Sequence, residues 1–455
     1  MTLKAISPLD GRYRKKVEPL ADLFSEFALI RYRCKVELAY LSALDDTKLF
    51  PRLNADEKKG VENLLNTFSE DDAKIVKQKE DTVKHDVKAL EYFLRDRLHI
   101  ANPNMIHFGL TSEDVNNLSY SIILKGFLED HYLPRIKSLV LFLCGLARRH
   151  KRSPFPTRTH GQLASPSTAG KEIAVFISRL LKLVVKLKSF KFSGKLNGAV
   201  GNYSAMSAAF PRFDWEKFSR KFVRNFGLDF NRATTQIEDH DNWAEFFNLV
   251  RQINNVILDL DQDLWNYLML GLFTEQAFAA EVGSSTMPHK INPIRFENSE
   301  GNLFLANSLL IMLSEKLCRS RMQRDLSDST VSRNIGVALS HSYLAINETL
   351  DGLKRIRLNP QRCLEILKSE IRLLAEPIQT ILRVETKENP YEWLKMFSRG
   401  KMLDGKDMNK FIETLPVNQS VKSRMKRLRP EKYIGAAVDI CEKVLMAALK
   451  EVSEI

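Results

Sequence analysis

The sequence predicts an all-α fold, and three observations carry this prediction. Glycine and proline are few, with 19 and 16 residues in a chain of 455, which is below their usual share of about 12% and favours long helices. Apolar residues recur at helical spacing over long stretches, and no comparable run of alternating residues indicates a sheet. The composition, with 44% hydrophobic and 27% charged residues, is typical of a globular protein.

Five stretches have the apolar spacing of long helices, and together they predict a bundle in the middle of the chain. The first begins at Leu118, after the polar segment TSED. The others are KEIAVFISRLLKLVVKLKSF, AEFFNLVRQINNVILDLDQDLWNYLMLGLF, SEGNLFLANSLLIMLSEKLC and NIGVALSHSYLAINETLDGL. The segment RIRLNPQRC then breaks the last helix. We therefore expect three helical domains: an N-terminal domain over 1–110, a central bundle of five long helices over 111–355, and a C-terminal domain over 356–455.

Two polar segments predict helix starts. Ser165 followed by Pro166 supplies a capping hydroxyl and a proline suited to the first helical position. Thr111 and Ser112 precede two acidic residues, and negative charge stabilises a helix N-terminus. We expect one helix to begin at each segment.

Composition and terminal pattern argue against several classes of protein. No apolar stretch reaches the ~18 uncharged residues that a membrane-spanning helix needs. The first residues, MTLKAISPLDGRYRKK, lack the apolar core of a secretory signal, so we expect a cytoplasmic protein. The five cysteines form no CxxC pair, which disfavours a disulfide framework or a zinc knuckle. The net charge of +13 favours an anionic partner, and without a zinc-finger or RNP-like pattern nucleic acid is not expected.

Polar, glycine-bearing segments between the predicted helices carry the chemistry of the chain. A bundle needs only short polar connections, whereas these segments contain histidine, arginine, glutamine and paired hydroxyls. We expect them to form a site where helix ends converge. They are SPLDGRY (7–13), VKHD (83–86), HFGLTSED (107–114), TRTHGQLASPST (157–168), GKLNGAVGNY (194–203), TTQIEDHD (234–241), GSSTMPHKINP (283–293) and RDLSDSTVSRN (324–334).

The chemistry that these segments suit is acid–base catalysis on an anionic substrate. The chain has no HExxH, P-loop, dinucleotide or GxSxG motif. His160 in its Thr-His-Gly turn can donate a proton near neutral pH, although a lone histidine more often satisfies only loop backbone. The hydroxyls, amides and ammonium of 283–293 suit a developing oxyanion, against the alternative of an ordinary turn. The arginines and serines of 324–334 suit a phosphate, against the alternative of a charged helix start.

The segment GSSTMPHKINP resembles the signature loop of the fumarase/aspartase superfamily, whose pattern is roughly GSSxMPxKxNP. SPLDGRY, TRTHGQLASPST, GKLNGAVGNY, TTQIEDHD and LSDSTVSRN resemble the adenylosuccinate lyases in their longer bacterial form, and EPIQT and YIGAA extend the likeness towards the C-terminus. The resemblance implies an all-α homotetramer in which the bundles form a common core and each active site draws loops from three subunits. It also implies release of fumarate from adenylosuccinate and from the succinylated aminoimidazole carboxamide ribotide, with no metal and no cofactor.

The same resemblance implies roles for individual residues. Ser284 would be the general base that removes a proton next to a carboxylate, and His160 would be the acid that protonates the leaving nitrogen. Lys290 and Asn292 would hold the succinyl carboxylates. The remaining substrate-binding positions are Arg12, Tyr13, Lys84, His85, Asp86, Thr111, Ser112, Gln236, Ser285, Ile291, Asn298, Arg324, Ser329, Thr330, Val331, Ser332 and Arg333.

Two departures and two alternatives stay open. Lys84 stands where the longer bacterial form usually has asparagine, and Arg295 stands where an acidic residue is common. Another superfamily lyase, such as argininosuccinate lyase or fumarase, would share the serine loop but not the GRY and DSTVSRN segments. A catalytically silent or nucleic-acid-binding protein on this scaffold is disfavoured by the presence of Ser284, His160 and Lys290.

Overall fold

The computed structural model describes residues 3–276, 286–287, 289–399 and 403–453. The protein is 69% helical with little strand, which confirms the all-α prediction. Among the described residues, no helix is long and apolar enough to cross a membrane. The helices are α1 (Arg14–Val17), α2 (Ala21–Phe24), α3 (Glu26–Thr47), α4 (Ala55–Thr67), α5 (Glu70–Val83), α6 (Asp86–Leu98), α7 (Ser112–Gly126), α8 (Leu133–Arg149), α9 (Ala169–Lys188), α10 (Ser204–Ala209), α11 (Trp215–Asn225), α12 (Asp241–Met269), α13 (Ile294–Lys316), α14 (Ser327–Ser332), α15 (Ile335–Arg355), α16 (Pro360–Ser369), α17 (Ala375–Glu385), α18 (Pro390–Ser398), α19 (Gly405–Thr414), α20 (Gln419–Lys426) and α21 (Ala437–Ser453).

Short strands pair two by two and close turns between the helices. Among the described residues, three pairs of strands are antiparallel, and the strand Ser193–Gly194 pairs in parallel with the strand Asp229–Phe230. Each has only two or three residues, so the strands position loops and form no sheet layer. They are β1 (Pro154–Phe155), β2 (Arg158–Thr159), β3 (Gln162–Leu163), β4 (Ser167–Thr168), β5 (Ser193–Gly194), β6 (Asp229–Phe230), β7 (Phe273–Glu275) and β8 (Ile356–Leu358).

The five stretches predicted as long helices are all helical. They correspond to α7 with α8, α9, α12, α13 and α15, and α12 is 29 residues long. A π-helical segment, Phe127–Tyr132, joins α7 to α8 without interruption. Pro134 explains the wider turn, because proline lacks an N–H and its ring clashes with the carbonyl four residues earlier in a regular α-helix. The expected break after α15 is also confirmed, since β8 follows Arg355 directly.

The two predicted helix starts have different outcomes. Helix α7 begins at Ser112 as expected. The prediction at Ser165 and Pro166 was wrong, because α9 begins only at Ala169. The intervening residues pair with β1 as strand β4, so tertiary pairing outweighs the local signal. The hydroxyl of Thr168 instead accepts the backbone N–H of Lys171 at 3.2 Å.

The chain divides into two compact units, and the predicted division into three domains stays a prediction. Unit 1 has an aromatic core in which Tyr40 meets Phe218 and Phe222 edge to face. Unit 2 contains an apolar cluster of α17 to α20, with Ile378 and Leu382 fully buried. Unit 1 comprises Met1–Arg135, Leu183–Asn255 and Gly301–Asn347; unit 2 comprises Ile136–Lys182, Val256–Glu300 and Glu348–Ile455.

Candidate active site

The predicted site residues fall into three groups in the structure. Ser284 and Ser285 lie outside the described residues. Unit 2 contains His160, Lys290, Ile291, Asn292 and Asn298. Unit 1 contains Arg12, Tyr13, Lys84, His85, Asp86, Thr111, Ser112, Gln236, Arg324, Ser329, Thr330, Val331, Ser332 and Arg333.

Asp86 joins two arginines at the start of α6. Its Oδ2 lies 2.8 Å from Nη2 of Arg33, which is almost fully buried, and 3.2 Å from Nη2 of Arg333. Burial alone would raise the pKa of Asp86, but Arg33, the Val87 amide and Arg333 outweigh it and lower the pKa. Arg333 also bonds Glu26 at 2.8 Å, so its guanidinium is fixed from two sides. A fixed guanidinium is prepared to bind an anion.

The backbone explains why Lys84 and His85 sit where they do. Lys84 ends α5 in the left-handed conformation, with φ 55°. Asparagine adopts this conformation readily, so the lysine here keeps the turn at some cost in strain. His85 caps α6, because its Nδ1 accepts the backbone N–H of Lys88 at 3.2 Å. A neutral His85 therefore carries its proton on Nε2, and the side chain is half exposed.

Glu113, Arg324 and Gln236 form a second polar cluster in unit 1. Nη2 of Arg324 lies 3.1 Å from Oε2 of the buried Glu113. Nη1 of Arg324 donates to Oε1 of Gln236 at 3.3 Å, and Nε2 of Gln236 donates to the Ala199 carbonyl at 2.9 Å. Both ends of the Gln236 amide are thus engaged. Burial raises the pKa of Glu113, and the charge of Arg324 partly opposes that rise.

A fully buried ion pair holds the loop after β5 against the start of α7. Nζ of Lys195 lies 2.9 Å from Oδ1 of Asp114, and neither side chain is exposed. Asp114 also accepts the backbone N–H groups of Asn197 and Thr111. The segment that carries Thr111 and Ser112 is therefore held in place by a residue that is distant in sequence.

The same loop packs closely on the segment that carries Gln236. The side chain of Asn197 donates to the Thr234 hydroxyl at 2.8 Å. Gly201 has φ +78°, and a Cβ there would lie 2.0 Å from the Thr234 carbonyl oxygen. Only glycine fits this approach, which gives the last glycine of GKLNGAVGNY a packing role.

The segment 324–334 forms the short helix α14 and its flanks. The backbone N–H of Ser329 donates to Asp328 at 2.7 Å, and the buried Ser332 hydroxyl donates to the Ser329 carbonyl at 3.3 Å. Thr330 is exposed and Val331 is partly buried. Ser332 therefore serves the local fold, while Arg333 reaches Asp86 as described above.

The N-terminal turn places Arg12 beside Tyr13. The guanidinium of Arg12 lies 5.9 Å from the centre of the Tyr13 ring. Tyr13 packs against an apolar cluster of Leu9, Val17 and Leu344. The exposed Arg12 thus stands on an anchored aromatic ring.

His160 occupies the tip of the β2–β3 hairpin in unit 2. Its φ is 52° and that of Gly161 is 74°, as in the two-residue turns that suit tight hairpins. Nη1 of Arg158 donates to the Gly161 carbonyl at 2.8 Å and stiffens the turn. These angles and the pairing of β2 with β3 confirm the expected tight Thr-His-Gly turn. His160 itself is exposed.

The described part of the serine loop leads directly into α13. Lys290 is exposed, and its backbone N–H donates to the Met287 carbonyl at 3.0 Å. Ile291 is exposed, and Asn292 and Asn298 are partly buried and engaged in polar contacts. Arg295 pairs with the buried Glu348 at 2.8 Å, which gives this departure from the family pattern a structural partner.

The residues of these clusters that were not predicted as site residues from the sequence include Arg33, Glu113 and Lys195. Each is a charged residue within an apolar or turn pattern, and a charge that must be buried needs a partner. That signal was visible for Arg33, inside the apolar stretch ALIRYRCKVELAY. Its partner Asp86 could not be inferred, because the pairing depends on tertiary structure.

Among the described residues, no group of three or more metal-ligating side chains could hold an ion.

Comparison with known proteins identifies the family. The family described as Lyase matches residues 11–306, and the family described as Adenylosuccinate lyase C-terminal matches residues 320–434. Adenylosuccinate lyase of Haemophilus influenzae is 45% identical over 451 residues, covering 97% of this chain and 99% of that protein. Adenylosuccinate lyase of Escherichia coli K12 is 43% identical over 452 residues, with the same two coverages.

Solved structures support the fold. A fumarate lyase from Mesorhizobium sp. BNC1 has a TM-score of 0.79 at 18% identity, covering 94% of this chain and 97% of its own. A 3-carboxy-cis,cis-muconate lactonizing enzyme from Pseudomonas putida has a TM-score of 0.78 at 16% identity, covering 95% and 97%. These likenesses concern the helical architecture alone, whereas the sequence matches reach further. By those matches, the chain belongs to the adenylosuccinate lyase family.

Proposed function

We propose that this chain is an adenylosuccinate lyase that releases fumarate from adenylosuccinate to give AMP, in the cytoplasm. The same chemistry would release fumarate from the succinylated aminoimidazole carboxamide ribotide. The observation that carries the proposal is the 45% identity over 97% of the chain with a protein named adenylosuccinate lyase. The guanidinium groups of unit 1 support it, because both substrates carry a phosphate and two carboxylates.

The proposed reaction is a β-elimination with two proton transfers. Ser284 removes a proton from the carbon next to one succinyl carboxylate, and the carbanion spreads onto that carboxylate. The carbon–nitrogen bond then breaks, its electron pair stays on nitrogen, and His160 gives that nitrogen a proton. Lys290 and Asn292 hold the carboxylates and stabilise the added negative charge. Fumarate and AMP leave, and both catalytic groups exchange protons with water.

The residues of unit 1 are proposed to hold the nucleotide part of the substrate. Arg324, Ser329 and Arg333 would bind phosphate or carboxylate oxygens, with guanidinium groups that are already fixed by Glu113, Asp86 and Glu26. His85 would donate its Nε2 proton to the substrate and support His160. Asp86 would act indirectly, by fixing Arg333, because its Oδ2 is already engaged by Arg33 and Arg333.

The chain is proposed to work as a homotetramer whose active sites combine loops of three subunits. Helix α13 supports this, because it exposes large apolar side chains that a partner copy would cover. Phe304 and Leu305 are each 53% exposed, and Ile311 is 39% exposed. Light scattering of a Leu305→Glu variant, expected to be smaller than the unsubstituted protein, tests the assembly. An unchanged mass would count against this surface.

Incubation of the purified protein with adenylosuccinate tests the proposed function. We expect fumarate and AMP in equal amounts, detected by absorbance and chromatography. Argininosuccinate is the matched control substrate, because it also releases fumarate but lacks phosphate and purine. Turnover of argininosuccinate without turnover of adenylosuccinate would overturn the proposal.

A further inference from the structure

We propose that Glu113 is a positioning residue of the active site: it holds Arg324 so that the guanidinium fixes the Gln236 amide and is ready to meet a substrate anion. The inference rests on the proposed function, which places Arg324 at the substrate, and on the family resemblance, which implies the same for Gln236. Glu113 lies one residue after Ser112, so it also connects these two residues to the start of α7.

Glu113 is buried and depends on Arg324 for its partner. The residue is 6% exposed, and a carboxylate so removed from water needs a counter-charge. The ion pair with Nη2 of Arg324 at 3.1 Å supplies one. Within the described residues, the next carboxylate near Arg324 is Asp328, whose Oδ2 lies 3.9 Å from Nε. That distance is too long for a hydrogen bond, and Asp328 accepts the Ser329 amide instead.

Glu113 influences Gln236 through Arg324, which contacts both residues. Arg324 donates to the amide oxygen of Gln236, and the amide nitrogen of Gln236 donates to the Ala199 carbonyl. The oxygen and nitrogen of this amide therefore cannot exchange places without loss of both bonds. Glu113 determines the position of Arg324, and Arg324 determines the orientation of Gln236. An amide fixed in one orientation discriminates between donor and acceptor groups on a substrate.

Positioning and simple charge balance predict different responses to neutralisation of Glu113. If Glu113 only weakened the positive potential at the site, its neutralisation would strengthen substrate binding. If it positions Arg324, neutralisation frees a long side chain that must be ordered again when substrate binds, and binding becomes weaker. The two roles therefore predict opposite signs for the change in KM.

The test is Glu113→Gln, which keeps shape and removes charge. We expect KM for adenylosuccinate to rise about 10- to 100-fold, the range for loss of a charge-assisted hydrogen bond, with kcat changed less than about threefold. Glu91→Gln is the matched control, because Glu91 is a buried carboxylate bonded to Arg95 at 3.0 Å and has no proposed role in the site. Its KM should stay unchanged. An unchanged or lower KM in Glu113→Gln overturns the proposal.

A double-mutant cycle with Arg324→Lys tests whether Glu113 acts through Arg324. Lysine keeps the charge but not the forked donor, so Glu113→Gln should add little to the KM of Arg324→Lys. An equal, additive rise in both backgrounds contradicts the proposal. If Glu113→Gln does not fold, Glu113→Asp shortens the side chain while keeping the charge, and a wild-type KM in that variant is equally contradictory.

Binding of inorganic phosphate, followed by calorimetry, separates this inference from the proposed function. We expect Glu113→Gln to bind phosphate more weakly than both the unsubstituted chain and Glu91→Gln. A chain that binds phosphate in this order without releasing fumarate would contradict the proposed function alone. Equal phosphate affinities for all three proteins would contradict the positioning role.

Discussion

Nζ of Lys195 lies 2.9 Å from Oδ1 of Asp114 with both side chains fully buried. Lys195 also donates to the Gly198 carbonyl at 3.0 Å, so the pair holds the turn that follows β5. Because removing one partner of a buried pair leaves the other charge uncompensated, we expect Lys195→Met to lower the free energy of unfolding by about 3–5 kcal/mol. Urea unfolding followed by circular dichroism measures this loss.

Lys74→Met is the control for this substitution. Lys74 pairs with Asp71 at 2.7 Å, but both side chains are largely exposed, and water and salt screen such pairs so that they contribute little to stability. Its midpoint in urea should barely move. Equal losses of unfolding free energy in the two variants would contradict the expectation that the buried Lys195 pair stabilises the protein more than an exposed pair.

His107 links stability to pH near neutrality. Its Nδ1 lies 2.6 Å from Oε1 of the buried Glu37. Burial lowers the pKa of His107, but the charge and hydrogen bond of Glu37 raise it more, so the net pKa is above the usual value. A histidine with a raised folded-state pKa stabilises fully below about pH 6.5 and loses this contribution as pH rises through the folded value.

The variant His107→Asn should therefore differ most from the unsubstituted chain at low pH. Asparagine tolerates the left-handed backbone at this position, where φ is 59°. We expect the difference in melting temperature to shrink between pH 6 and pH 9 by thermal scans. A constant difference across that range would contradict the pairing with Glu37.

Asp261 has the opposite dependence of stability on pH, because this carboxyl group meets no cation within the part of the chain that the structure describes. It is fully buried, and its Oδ2 accepts the Thr349 hydroxyl at 3.0 Å. Burial raises its pKa well above the usual value, so the folded state holds a proton that the unfolded chain releases. Stability then falls as pH rises above the unfolded pKa, by up to about 1.4 kcal/mol for each pH unit until the folded pKa is reached.

Asp261→Asn removes that dependence, because the amide does not titrate. We expect the variant to gain stability relative to the unsubstituted chain as pH increases from 4.5 to 7.5, measured by urea unfolding at each pH. Glu348 is the useful comparison, since it is equally buried but paired with Arg295. A gap that does not widen with pH would mean that Asp261 is ionised in the folded protein.

Ser284→Ala and His160→Ala test the two proposed proton transfers. Each variant should remain a folded oligomer and lose about 10²- to 10⁴-fold in kcat, the usual contribution of one positioned acid or base. Fumarate release measures the loss, and circular dichroism checks the fold. Near-normal turnover by Ser284→Ala would refute the assignment of the base.

Mixing the same two variants tests the sharing of sites between subunits. If one site combines Ser284 and His160 from different subunits, mixed tetramers contain some sites with both residues intact. Partial activity should then return after joint refolding. Verified mixed tetramers without activity would contradict a shared site, while each variant refolded alone provides the baseline.

Much of the helical fold could be predicted from the sequence because it depends on local pattern. Uninterrupted apolar periodicity predicted α9, α12, α13 and α15, and the break at RIRLNPQRC marked the end of α15. The start of α9 was missed because Ser167 and Thr168 pair with β1, and nothing local records that partner. Local signals decide helices, whereas pairing between distant segments decides where some of them begin.

The residues of the candidate site likewise differ in whether the sequence alone could reveal them. Motif residues such as Gln236 and Arg324 could be named from the sequence, and the hydrogen bond between them joins two of those motifs. Glu113 and Lys195 could not be named, because their importance comes from burial beside a charge that is distant in sequence. Residues that would touch substrate are visible in motifs, while those that support them appear only in three dimensions.

In the hairpin of β2 and β3, His160 could be replaced without a change in the backbone of the turn. His160 has a left-handed backbone, and asparagine is among the few residues that adopt this conformation with little strain. A His160→Asn chain would keep the turn but would lack the proposed acid. Under the proposed function, such a protein would retain its ligand instead of cleaving it, so one residue at a left-handed turn would separate an enzyme from a receptor for the same metabolite.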